Sequence, residues 1–354
     1  MPSTIDYSPL TAPVDTTAAA KLAADYASKG QTRPNYRPFG VYSDVLTIVL
    51  CIFVLLLCIP ATLITLAQGL TGSRGQGWSA FGVYAFLATL AVAGLYWCGR
   101  RYLVPRTSPA DWYRLHAFAA ANNLQFAPWT TAQQYPSEIF TTGVDRATYD
   151  HVFSTAEPLF DIGNVYYQTG RKMEESDDHR WGYIAVNLGR NLPQMVLDST
   201  ANNRLGLSGL PLGFARDQVL KLEGDFNDHF TLYAPKEYER DATYVFTPDL
   251  MALLIDESAS FDVEVIDDWM FVYSRTPFHM ADPATLSRAF RIVELVGGKI
   301  RSQVAKYVDD RAPVVRGVVS AVAAGGRRLK ASKTVLVVVL AAITLVTVFN
   351  IVRG

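Results

Sequence analysis

Three stretches of the chain are hydrophobic at almost every position. They are residues 45–67, 78–98 and 334–352, and none of them contains Asp, Glu, Lys or Arg. A helix rises about 1.5 Å per residue and the hydrocarbon core of a bilayer is about 30 Å thick, so about 20 apolar residues cross it. The pattern therefore predicts three transmembrane helices. The first two form a hairpin, because the ten residues between them are too few to fold as a domain.

Between these stretches, residues 101–312 mix helical and strand-like patterns. Ser108, Pro109 and Asp111 are typical of a helix N-terminus, with a cap, a proline in the first turn and an acidic third residue. Thr247 and Pro248 start a second helix in the same way. A third helix covers 284–307, with a break expected at Gly297–Gly298.

Strand-like runs occupy residues 160–170, 181–189 and 193–200. Residues 261–274 alternate apolar and polar side chains, and Asp267–Asp268 is the expected turn of a hairpin. The sequence therefore predicts an α+β domain on an α-helical membrane anchor of three transmembrane helices.

The two flanking segments differ from this domain in composition. Residues 1–36 are rich in Ser, Thr, Ala and Pro and are expected to be disordered or partly helical, with Asp15 or Thr16 as a cap and Gly30 as a stop. Residues 313–333 form a basic juxtamembrane linker.

Charge placement predicts the orientation in the membrane. Lys and Arg residues flank the predicted spans on the sides facing residues 1–36 and 101–333, whereas the loop between the first two spans carries only Arg74. By the positive-inside rule we expect a multi-pass protein of the plasma (inner) membrane. The N-terminus and the main domain are then cytoplasmic and the C-terminus lies outside. The formal net charge is −1, so no basic field indicates nucleic acid as a partner.

Cysteine usage excludes several kinds of site. Cys51, Cys58 and Cys98 all lie within the predicted spans, and residues 101–312 contain no cysteine. The domain therefore has no disulfide framework, no thiolate metal site and no cysteine nucleophile. No cofactor and no metal is predicted.

EGDFNDHFTLY, residues 223–233, places three carboxylates and a histidine within seven positions. Two packings place Phe226 and Phe230 on the core side. One is an extended strand; the other is a single helical turn capped by Asp225. Both are structural, but Asp228 and His229 remain candidates for acid–base chemistry. His151 is the third candidate.

Four basic residues precede the last predicted span. Arg327, Arg328, Lys330 and Lys333 are predicted to contact anionic lipid headgroups, where each is worth about 1 kcal/mol. Two other surfaces are candidates for a protein partner. One is the leucine-rich loop 201–217, which instead covers the core in an alternative interpretation. The other is the small-residue face of the second span, Ala85, Thr89 and Ala93.

The leading hypothesis is a membrane-anchored cytoplasmic binding or scaffold module of unknown ligand. The alternatives are a membrane-tethered enzyme of unknown reaction and an accessory subunit of a membrane complex. No nucleotide-binding, hydrolase or metalloprotease motif occurs that would favour the enzyme.

Residues 223–274 also carry a family pattern. Glu223–Gly224, the Phe226/Phe230 pair, Tyr233, Thr247–Pro248 and the leucine-rich helix that follows resemble a family of uncharacterised bacterial membrane proteins, common in actinobacteria. The resemblance implies a cytosolic domain of unknown function and a shared fold. It implies no activity and no catalytic residue.

Overall fold

The computed structural model describes residues 5–32, 40–70, 76–102, 108–169, 177–202, 213–222, 224–312 and 321–330. They form two compact units. Residues 40–102 belong to a helical unit, and the other described residues belong to the folded domain.

Helices occur along the whole described chain. They are α1 (Ser8–Thr11), α2 (Thr16–Ser28), α3 (Gly40–Leu70), α4 (Gln76–Tyr102), α5 (Pro109–Ala121), α6 (Glu138–Thr141), α7 (Phe226–His229), α8 (Glu239–Val245), α9 (Pro248–Ser258), α10 (Pro283–Arg291), α11 (Gly298–Val304) and α12 (Ala324–Arg327). A π-helical stretch, Ile292–Gly297, joins α10 to α11, and the backbone stays helical through Gly297 and Gly298, so the predicted break there is a change of helix type and not an interruption.

The described strands form one seven-stranded antiparallel sheet in the order β1-β2-β3-β4-β6-β5, with β7 also paired to β4. The strands are β1 (Gln125–Thr131), β2 (Val144–Phe153), β3 (Phe160–Thr169), β4 (Asp177–Ser199), β5 (Val219–Leu220), β6 (Phe230–Tyr233) and β7 (Asp262–Ser274). The predicted α+β class is confirmed.

The predicted hairpin at 261–274 is wrong. Residues 262–274 form one continuous strand, β7, which pairs with β4 along its length. Asp267 adopts a φ of 51° and makes a bulge instead of a reversal. The predicted strands 181–189 and 193–200 are likewise one strand, β4, because the partner strand continues past the irregularity between Asn187 and Leu192.

The helical unit contains the first two of the three predicted transmembrane spans. Among the described residues, one helix, Leu46–Ala67, is long and apolar enough to cross a membrane, and Ala80–Tyr96 is a shorter apolar helix. The third predicted span, 334–352, lies outside the described residues. The prediction of a three-span anchor is therefore not supported.

Close contact between α3 and α4 involves Ala91 and Gly94. Ala91 is buried, and a Cβ added at Gly94 would lie 2.9 Å from the Cys51 sulfur. Thr89 and Ala93, which belong to the stripe, are exposed.

Helices cover one face of the sheet. Helices α5, α9, α10 and α11 and the π-helical stretch bury their apolar side chains against β3, β4 and β7. Gly297 permits this approach, because a Cβ there would lie 2.9 Å from a methyl carbon of Val186. The opposite face, here called the covered face, lies under residues 132–143, the β1–β2 connection. Its core is aromatic and includes Phe140, Tyr183 and Phe271.

Residues 5–32, the described part of the N-terminal segment, are partly helical and pack against the folded domain. Asp15 caps α2 by accepting from the amides of Thr17 and Ala18, and Gly30 ends the helical region with a φ of 70°. The Tyr26 hydroxyl lies 2.9 Å from His116 Nδ1 in α5. This packing buries Leu10 and Tyr26, which gives the segment the apolar contacts that its composition does not reveal.

Candidate functional site

The structure places Asp228 and His229 in a turn. Residues 226–229 form a single helical turn, so the helical alternative holds. The rings of Phe226 and Phe230 pack at 5.1 Å between centroids, and Asp225 makes no side-chain cap. Asp228 is exposed, and neither its side chain nor that of His229 bonds to another described residue. The turn brings no third group to them.

His151 is bound on both ring nitrogens. Its Nδ1 lies 3.0 Å from Asp161 Oδ1 and its Nε2 lies 3.2 Å from the Thr130 hydroxyl. A bulge at Asp150, with a φ of 49°, turns His151 onto the covered face. A Cβ at Gly163 would lie 2.3 Å from the His151 Cβ, so only glycine fits opposite the histidine.

This Thr130–His151–Asp161 line has the hydroxyl–imidazole–carboxylate order of acyl-transfer enzymes. However, His151 is 1% exposed and the Thr130 hydroxyl is also held by Thr148 at 2.7 Å. In this structure the line joins three strands, β1, β2 and β3. The buried polar groups of these side chains hydrogen bond to one another. Their role is therefore structural.

A second polar cluster lies on the same face around Glu264. This carboxylate is 2% exposed; it accepts from Gln194 Nε2 at 2.7 Å and from the Tyr273 hydroxyl, which also contacts Ser137. Burial raises the pKa of Glu264, and the hydrogen bonds from Tyr273 and Gln194 oppose the shift. Burial and the neighbouring Glu264 raise the pKa of Glu138 to about 8, although the charge of Arg328 opposes this.

The predicted headgroup-binding residues lie mostly in a segment bound to the domain. We call residues 321–330 the C-terminal strap. Its backbone bonds to two buried glutamines: Leu329 N donates to Gln194 and Lys330 N to Gln218, at 2.7 and 2.8 Å. Arg328 forms an ion pair with Asp267 at 3.3 Å.

The other basic residues of the run are placed differently. The Arg327 guanidinium donates to the Val322 carbonyl, and the Lys330 side chain is exposed. Lys333 lies outside the described residues. In the loop 201–217, residues 203–212 are also outside them, but Phe214 is buried against Tyr233, which favours the covering role.

A cavity of about 320 Å³ lies at the other face of the sheet, beside α10 and the start of the π-helical stretch. Its floor is formed by the buried side chains of Ile184, Ala289 and Ile292. Phe261 and Phe278 form two of its walls, with their ring centroids 6.1 Å apart. Such a concave, mostly apolar space is the usual form of a small-molecule site.

Two residues of the sheet hold the Phe278 wall in place. Asn164, buried in β3, accepts from the Phe278 amide at 2.6 Å and donates to its carbonyl at 3.1 Å. Gly182 in β4 provides the space for the ring, because a Cβ there would lie 2.8 Å from two ring carbons. The cavity wall is thus attached to the rigid sheet.

Arg288 supplies the permanent positive charge of the cavity lining. Its guanidinium carbon lies 4.4 Å from the centre of the Phe261 ring, and Nη2 donates to the Glu257 carbonyl and the Ser260 hydroxyl. No described carboxylate lies within ion-pair distance of Arg288. The Glu257 carboxylate pairs instead with Arg291, at 3.2 Å. The lining also includes His279 but no acidic residue.

The described residues contain no group of three or more His, Cys, Asp and Glu side chains that could hold a metal ion. Comparisons with family descriptions, curated proteins and solved structures find no match to this chain. The resemblance of residues 223–274 therefore stays a prediction.

Sequence reasoning missed the cavity. Phe261, Phe278 and Arg288 are separated along the chain, and no motif connects them. The available signal was local: Asp282 and Pro283 mark the start of α10 and place Arg288 on its second turn.

We expect His151→Ala to lower the free energy of unfolding by about 3 kcal/mol, because it leaves the buried Asp161 Oδ1 without its imidazole partner and only Tyr135 on the other oxygen. His229→Ala should change it by less than about 0.5 kcal/mol, since that side chain bonds to no described residue. Urea denaturation of both variants measures this. Equal effects would contradict the assignment of His151 to the buried line.

The raised pKa of Glu138 predicts that the stability of the protein depends on pH. Its folded pKa of about 8 lies above the ordinary value of 4.5, so the unfolded chain releases the proton first. Stability is therefore fully present below about pH 4.5 and falls as the pH rises toward 8. Glu138→Gln removes this contribution, and its melting temperature should fall less between pH 5 and pH 8.

The matched control is Glu239→Gln, an exposed glutamate in α8. This variant should follow the parent protein across the same pH range. Glu264 contributes in the same direction, so some pH dependence should persist in Glu138→Gln. Parallel melting curves for the parent and Glu138→Gln would show that Glu138 titrates normally.

Proposed function

We propose that the protein is a membrane-anchored binding module whose folded domain takes a small ligand in the cavity beside α10. The observation that carries the proposal is the lining of this cavity. Its apolar floor and walls are accompanied by a half-buried guanidinium that has no carboxylate partner among the described residues. At about 320 Å³ the cavity is at the lower end of the range for ligand sites.

The anchor that we propose is a hairpin of α3 and α4. Residues 5–32 precede α3 and residues from 108 follow α4, yet both belong to one folded domain and Tyr26 bonds to His116 across it. If the helical unit enters a membrane, this proposal places both of its ends on the same side. A single crossing by α3 alone would separate them. The apolar part of α4, 17 residues long, is at the short end of the range for a transmembrane helix.

The side on which the domain lies follows from the arginine and lysine distribution. The basic residues flanking the hairpin favour a cytoplasmic domain at the plasma (inner) membrane. Residues 334–352 remain a proposed third span, with the C-terminus outside.

We expect an impermeant maleimide to distinguish the two sides in intact cells. In a background with Cys51, Cys58 and Cys98 replaced by Ala, Ser73→Cys in the predicted external loop should be labelled and Ala284→Cys in α10 should not. Both should be labelled after permeabilisation. Labelling of Ala284→Cys in intact cells inverts the topology, and no labelling of Ser73→Cys contradicts the hairpin.

We expect Ala289→Leu to fill the cavity and abolish ligand binding while keeping or raising the melting temperature, because it fills existing space. The full-length protein in nanodiscs is tested by ligand-observed NMR with 3-phenylpropionate and 3-phenylpropionamide. Ala284→Leu, an exposed position of the same helix, is the matched control and should bind like the parent.

A second variant, in strand β4, changes the cavity by a different route. Gly182→Ala places a Cβ against the Phe278 ring and should weaken binding of the same probes by displacing that wall. If neither probe binds the parent protein, or if Ala289→Leu binds them unchanged, the cavity is not the site and the proposed function fails.

A further inference from the structure

The charges at the cavity indicate the chemical class of its ligand. This inference rests on the proposed function and concerns the same cavity. An uncharged ligand would need only the apolar floor and walls. The lining adds one arginine and one histidine, His279, which is exposed at the edge, and it has no acidic residue.

Arg288 is held in a fixed position and keeps donors available. It packs over the Phe261 ring, and Nη2 is fixed by the Glu257 carbonyl and Ser260 Oγ, at 3.3 and 3.0 Å. Its Nε and Nη1 donate to no described residue. A guanidinium has five N–H donors in a planar fork, a geometry that matches a carboxylate. The neighbouring Arg291 differs, because its charge is already paired with Glu257.

The acidic side chain at the start of α10 is engaged elsewhere. Asp282 caps α10, accepting from the Ala284 amide and from both the amide and the hydroxyl of Thr285. These donors lower the pKa of Asp282, with the Thr285 hydroxyl as the largest cause. Its carboxylate is thus committed to the helix N-terminus and does not neutralise Arg288.

The volume and the aromatic walls of the cavity limit the size and the chemistry of the part of the ligand that does not contact Arg288. A volume of about 320 Å³ holds a small molecule and not a lipid with two acyl chains. Phe261 and Phe278 offer aromatic faces and edges to a ring or a short hydrocarbon chain. We propose that the ligand is a small amphipathic monocarboxylate whose apolar group fills the cavity and whose carboxylate binds Arg288.

The test compares probes that share one skeleton. Binding of 3-phenylpropionate, 3-phenylpropionamide and 3-phenylpropylamine to the full-length protein in nanodiscs is measured by ligand-observed NMR at pH 7. Ligands of this size bind in about the micromolar to millimolar range. The acid should bind at least about tenfold more tightly than the amide, because a charge-assisted pair is about twice as strong as a neutral hydrogen bond. The amine should bind more weakly than the amide.

Variants of Arg288 and Arg291 test whether Arg288 causes the preference for the acid over the amide. Arg288→Ala should reduce the affinity for the acid to that for the amide, Arg288→Lys should retain part of the difference, and Arg291→Ala should leave it unchanged. Empty nanodiscs measure the partition of each probe into lipid, which is subtracted.

The possible results separate this inference from the proposed function. If the amide binds as tightly as the acid, or if Arg288→Ala keeps the preference, the ligand class is wrong while the cavity remains a site. If vesicles of phosphatidylglycerol compete with the acid and the preference disappears in neutral nanodiscs, the anion is a lipid headgroup and the inference is also overturned. Failure of every probe to bind contradicts the proposed function itself.

Discussion

Strand β4 needs cover on both of its faces, and most of the domain is arranged to meet this requirement. Every residue of 181–188 and 192–199 is buried, with β3 and then β6 on one edge and β7 on the other. Neither face of this strand is exposed to solvent, so each face must be packed by other elements. Helices cover one face, and the β1–β2 connection and the C-terminal strap lie against the other.

The two faces differ in chemistry because they are covered differently. Apolar helices meet an apolar face, whereas the short segments on the covered face bring tyrosines, carboxylates and backbone amides. Glu264 and Asp161 are buried there only because hydroxyl, amide and imidazole groups satisfy them. Separating these groups would leave buried polar atoms without hydrogen-bond partners. The free energy that this would cost keeps residues 132–143 and the strap in position. The cavity lies on the opposite face, where the loop carrying Phe278 fills the space between the sheet and α10 only in part.

The sequence predicted the elements that carry local signals. The Ser108–Asp111 capping box and the helix after Pro248 could be found because cap chemistry depends on adjacent residues. Strands β1 and β2 were missed, because Pro128 interrupts the first and residues in positive-φ conformations, Asp145 and Asp150, break the alternation of the second. The hairpin error has the same origin, since one aspartate at a positive φ serves equally in a bulge or in a turn.

Contacts between distant segments could not be predicted in this way. The composition of residues 5–32 suggests disorder, but Tyr26 packs against Trp112 and Phe126, which lie about ninety residues further along the chain. The pairing of His151 with Asp161, rather than with the adjacent Asp150, depends on a bulge. The cavity depends on Asn164 and Gly182, which are informative only once the sheet register brings Phe278 beside them.

The strap precedes the proposed third span in the chain. Lys330 is hydrogen bonded to Gln218 in the domain, and only three residues separate it from the predicted span at 334–352. The four Cα–Cα steps from Lys330 to residue 334 reach about 14 Å at most. On the proposed topology the domain is therefore held at the membrane surface. An amphipathic carboxylate, the ligand class proposed above, would partition into that surface, which would raise its concentration near the domain. A weak site suffices under these conditions, consistent with a cavity that has one guanidinium and little enclosed volume.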